Sequence, residues 1–133
     1  MKCYKTLIYL FVILFFSGCL FDGGSKKKIV GDYYLHRWEG GTPFYIDNKW
    51  GQPDGGGLIE GTVQEIGWNE DYIFAKRKST FGGDPSGWMI IDVNKGKIMG
   101  SFTDEEFEGK QKEILGHQEI KKYPPKKVWK MLK

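Results

Sequence analysis

A chain of 133 residues and 15.3 kDa, with 40% apolar and 16% aromatic side chains, has room for one modest core and is too rich in Trp, Tyr and Phe for a disordered segment. Its nineteen Gly follow no three-residue period, which excludes a collagen-like fibre and points to the many turns of a strand-rich fold. The formal charge of +3 is unevenly spread: residues 29–120 carry 9 Lys or Arg against 16 Asp or Glu, a net of −7, while residues 121–133 hold six Lys and no acid.

The first element is a signal. Lys2 and Lys5 precede an apolar run over residues 6–16, and Phe16-Ser17-Gly18-Cys19 follows. A basic start, an apolar stretch and small residues before a cleavage point define a secretory leader. Eleven helical residues span only about 16 Å of a roughly 30 Å hydrocarbon layer, which disfavours a permanent spanning helix. The Ser17-Gly18-Cys19 end resembles the lipobox of bacterial lipoproteins, with Phe16 standing where that motif usually has Leu. The resemblance implies removal of residues 1–18, diacylation of Cys19, and a protein held on the cell membrane or outer membrane, facing the periplasm or the exterior. Cys3 then leaves with the leader and Cys19 carries lipid, so no thiol remains for a disulfide or for thiol catalysis.

Residues 19–28, with Gly23-Gly24-Ser25 and Lys26-Lys27-Lys28, are expected to form a flexible tether. Residues 29–120 form the expected single domain, and residues 121–133 a basic C-terminal tail. Within the domain the period is mostly two. Strands are predicted over residues 32–38 and 43–47, then a long loop over 48–57 with Gly55-Gly56-Gly57. Residues 58–68 alternate, with Ile59, Gly61 and Val63 on one face, and Asn69-Glu70-Asp71 turns them back into 72–78 as a hairpin. A loop over 79–86 leads to a second hairpin, 87–93 and 97–102, whose Asn94-Lys95-Gly96 turn has the composition of a tight connection.

Thr103-Asp104-Glu105-Glu106 has the spacing of a capping box, so a helix is predicted from there to about Leu115, stopped by Gly116, with Phe107, Ile114 and Leu115 on its inner face. Residues 118–123 read as one more strand, and Val128, Trp129 and Leu132 among lysines as a short basic amphipathic helix. The expected fold is α+β, mainly β: a meandering antiparallel sheet with one helix packed on it.

In Trp68-Asn69-Glu70-Asp71-Tyr72-Ile73, Gly87-Trp88-Met89-Ile90-Ile91-Asp92 and Ser101-Phe102-Thr103-Asp104-Glu105-Glu106-Phe107, the chain is similar to small bacterial lipoproteins known only as a domain of unknown function. The likeness covers residues 29–115 and implies the hairpin, turn and capped-helix order, with no activity attached.

Chemistry is sparse by comparison. His36 and His117 are isolated, with no second His or Cys at ligand spacing, so they read as structural or exposed histidines and no metal site or cofactor is expected. Ser79, Ser86 and Ser101 lack a nucleophile-elbow context. Gly55-Gly56-Gly57 and Gly82-Gly83 lack the Lys-Ser or Lys-Thr and helix of a phosphate loop. Basic and aromatic residues do not interleave on one face, and export removes the protein from nucleic acid. The acids Asp104, Glu105, Glu106 and Glu108 already have a role at the start of a helix.

The expectation is therefore a non-enzymatic envelope module that binds a protein or glycan partner, an inhibitor or immunity protein for a cationic partner among the variants. Trp50, Asp54 and Asp84 in the loops are its candidate contact residues. The rival reading is a small glycan hydrolase with Asp54 and Asp84 as acid and base.

Overall fold

The computed structural model describes residues 26–37, 44–49, 59, 62–78 and 86–133. The leader, Cys19, Trp50, Asp54 and Asp84 lie outside the described residues, as do most of the two predicted loops. Seven strands and two helices are present among those described: β1 (Lys26–Val30), β2 (Tyr33–Arg37), β3 (Phe44–Asn48), β4 (Thr62–Trp68), β5 (Tyr72–Lys78), β6 (Gly87–Asp92), β7 (Lys97–Phe102), α1 (Asp104–Leu115) and α2 (Pro125–Met131). The class is mainly β, as expected, and every strand pair is antiparallel. The strands divide between two sheets, β1-β2-β3 and β4-β5-β6-β7. Ile59, expected at the start of a long strand, instead bridges Ile46 of the smaller sheet.

The run Trp88-Met89-Ile90-Ile91 is buried throughout, and such continuous apolar strands arise where both faces of a sheet are covered. One face of the larger sheet, with Ile73, Ala75, Met89 and Ile91, shares a core with Leu35, Phe44 and Ile46 of the smaller sheet and with Val128 and Trp129 of α2. The other face, with Phe74, Trp88 and Ile90, packs on Phe107 of α1. The domain is thus three layers deep, with α1 on one side of the larger sheet and the smaller sheet plus α2 on the other.

Two expectations about the domain's limits need correction. Lys26-Lys27-Lys28, assigned to the tether, pair with His36, Leu35 and Tyr34 as part of β1. Lysine suits this edge position because its stem lies along the sheet while its charge discourages pairing with another chain. Residues 121–133 are not a free tail either. Tyr123 exchanges backbone hydrogen bonds with Ile66, both at 2.9 Å, and α2 buries Val128 completely and Trp129 to 9% exposure. The predicted strand over 118–123 shrinks to that single bridge.

Local signals held well. Asn69 Oδ1 accepts from the Asp71 and Tyr72 amides at 2.9 and 2.7 Å, closing the first hairpin. In the second, the Gly96 amide donates to Asp92 O at 2.8 Å with φ of 66°, a value that glycine adopts without strain. Thr103 caps α1, its Oγ1 accepting from the Glu106 amide at 3.2 Å. Thr103→Ala is expected to lower stability by about 0.5–2 kcal/mol, measured as a fall in the urea midpoint.

Candidate functional site

An open groove of about 1120 Å³ runs between α1 and the returning chain at residues 116–122. Its floor is set by two sequence facts. Trp88 faces α1 by the period-two alternation of β6, and Phe107 is the buried position of the first turns of α1. Their rings stack with centroids 4.1 Å apart and planes 7° apart.

The far wall owes its place to Gly67. A Cβ there would lie 2.8 Å from Lys121 O and 2.9 Å from Lys122 Cγ, so only glycine lets the 120–122 segment cross β4 this closely. At the other end, Gly116 stops α1 with φ of 64° and its amide donating to Lys112 O at 2.8 Å.

Charges ring the floor. The Trp88 indole Nε1 donates to Asp104 Oδ1 at 2.8 Å, and Lys76 Nζ lies 3.2 Å from the same oxygen. The indole N–H and then the ammonium favour the ionised carboxylate, so Asp104 titrates below the usual aspartate range. Lys122 places its ammonium 5.1 Å from the Phe107 centroid and 5.7 Å from that of Trp88. Partial burial lowers its pKa, against the pull of Glu65, Glu108 and Glu119, two of which also line the groove. The chain's own cation therefore covers the ring pair.

Trp88, Asp104 and Phe107 were each legible in the sequence, as a strand residue of the second hairpin, a helix-start acid and a helix contact. Their meeting was not. Lys122 was missed as part of a site, and the one signal for it was a glycine inside an alternating strand. Trp50, Asp54 and Asp84, the contact residues expected from the sequence, lie outside the described residues. His36 stacks on Tyr45 at 4.7 Å on the smaller sheet, its Nε2 buried without a hydrogen-bond partner among the described residues, and desolvation lowers its pKa. His117 is exposed at the groove mouth. Among the described residues no group of three or more His, Cys, Asp or Glu is placed to hold a metal ion, and no helix is long and apolar enough to cross a membrane.

No curated protein and no solved structure matches the chain. A family model described as Protein of unknown function (DUF3997) matches residues 30–121, from the end of β1 through α1 to the far wall of the groove. That span is well over half of the sequence, and the chain belongs to this DUF3997 family of proteins of unknown function.

Proposed function

We propose that this chain is a non-enzymatic, lipid-anchored module of the bacterial envelope that holds a basic polypeptide along the α1 groove. The observation that carries the reading is the division of the groove into a covered aromatic floor and a charged rim. Trp88 and Phe107 are only 5% and 3% exposed, too deep to offer a stacking face to a sugar ring. What a partner meets instead is the rim, where the acids Asp104, Glu108 and Glu119 outnumber the bases Lys112 and Lys122. A rim of this sign, on a body of net −7 over residues 29–120, steers a cationic partner toward it.

A carboxylate hydrolase is the weaker reading. A general acid needs a carboxyl raised toward neutral pH by burial, whereas Asp104 is shifted the opposite way. Asp54 and Asp84, the pair that reading invoked, lie outside the described residues.

The test places a photo-crosslinking side chain at Gln111, inside the groove, in the full chain within its own cells. A basic protein is expected as the main adduct. With that protein purified, raising ionic strength from about 0.01 to 0.15 M, which shortens screening from about 30 to 8 Å, is expected to slow association about tenfold or more. Glu108→Gln with Glu119→Gln, both on the groove rim, should slow it in low salt. Association indifferent to both salt and charge removal would overturn the proposal.

A further inference from the structure

We propose that the end of the domain formed by β1 and α2 is a membrane-contacting face that docks on anionic phospholipid headgroups, leaving the α1 groove turned away from the bilayer. The inference rests on the lipid-anchored reading above, and its own support comes from four features of the domain.

First, the charge is of one sign. Neither β1, Lys-Lys-Lys-Ile-Val, nor α2, Pro-Lys-Lys-Val-Trp-Lys-Met, contains an acid. Lys26, Lys28, Lys126, Lys127, Lys130 and Lys133 are all exposed. Second, α2 is two-sided: Val128 and Trp129 enter the core, and helical spacing puts Lys126, Lys127, Lys130 and Met131 on the opposite side. Met131 is 47% exposed, an apolar tip ringed by lysines, which is the composition of a helix lying at a headgroup boundary.

Third, the two elements meet. Lys27 Nζ donates to Trp129 O at 2.9 Å and to Leu132 O at 3.4 Å, satisfying carbonyls at the end of α2, and lies 4.8 Å from the Trp129 ring centroid. The N-terminal lysines and the C-terminal ones therefore sit at one end of the molecule. Fourth, the anchor is near. Six residues separate Cys19 from Lys26, so even fully extended chain keeps β1 within about 24 Å of a lipidated Cys19.

The layers then set the orientation. The basic elements lie on one side of the larger sheet and the acidic start of α1 on the other, so an anionic surface attracts the first and repels the second. Each lysine brought to such a surface raises the docked population about fivefold.

The experiment uses the full chain purified from membranes and reconstituted into vesicles of phosphatidylcholine alone or mixed with phosphatidylglycerol, with lysine acylation mapped by mass spectrometry. On the anionic vesicles, acylation of Lys126, Lys127 and Lys130 is expected to slow about fivefold or more, and Lys110 and Lys112 on α1 to be unaffected. The protection should vanish near 1 M salt, where screening shortens to about 3 Å. Lys126→Glu with Lys130→Glu, both outward on α2, should abolish protection at Lys127 without unfolding the domain. Equal acylation on the two vesicles would overturn the proposal and leave this face to an acidic protein; protection falling on α1 would overturn it too. The intact mass of the same sample reports whether Cys19 carries the diacyl group. A chain without lipid overturns the anchored reading, while its acylation pattern on added vesicles still decides the docking face.

Discussion

Trp88→Ala is expected to lower stability by about 3–5 kcal/mol, the range for deleting a large buried aromatic, and so to remove much of what a domain of this size possesses. Three losses coincide there. The side chain is 5% exposed, so its removal leaves a cavity; Phe107 loses the ring stacked on it at 4.1 Å; and Asp104 loses the indole N–H at 2.8 Å. Because Phe107 is the buried side chain of α1, the helix should loosen from the sheet first. Equilibrium urea unfolding followed by far-ultraviolet dichroism measures the effect. Trp88→Phe separates its parts: it retains a ring against Phe107, so most of the stability should remain, while Asp104 should titrate closer to an ordinary aspartate. A midpoint for Trp88→Ala equal to that of the parent would mean that α1 does not pack where it is described.

Trp129→Ala should have an effect of the same size, about 3–5 kcal/mol. Trp129 lies 6.0 Å from Phe44 in a tilted ring pair, is 9% exposed, and has Lys27 and Arg37 within 4.8 and 4.7 Å of its ring centroid. Its loss uncovers Phe44 in the core shared with the smaller sheet and releases two cation contacts together. Lys130→Ala, one residue on and pointing outward, is expected to stay near the parent, as exposed substitutions do. If Trp129→Ala behaved like Lys130→Ala, the C-terminal segment would be an appendage after all.

These two tryptophans also mark where reading the chain succeeded and stopped. The hairpin turns and the Thr103 cap were legible because their physics is local: Asn69, Gly96 and Thr103 bond within four residues of themselves. The division into two sheets was not, since an alternating strand states which face is apolar but not which partner covers it. β1 was hidden by its lysines, whose charge argues for solvent when the strand they pair with is unknown. In α2, the short basic amphipathic helix was legible from the spacing of Val128, Trp129 and Leu132, with proline at its first positions, but the sheet that its apolar side enters was not. For the groove, every residue type had a sufficient local explanation, and only the tertiary approach of residues 120–122 to Gly67 joined Trp88, Phe107, Asp104 and Lys122.

The bond from Lys27 to the end of α2 spans 102 residues to Trp129 and 105 to Leu132, and it dictates when this domain is able to finish folding. During synthesis, the first strand emerges long before the helix that completes its core. The hairpins of the larger sheet and α1 close on near neighbours and are free to form as they appear. The smaller sheet must wait with Phe44 and Ile46 bare until Val128 and Trp129 arrive. Such a delay concentrates the risk of aggregation, and the benefit of a holding chaperone, in the interval before α2 has been made.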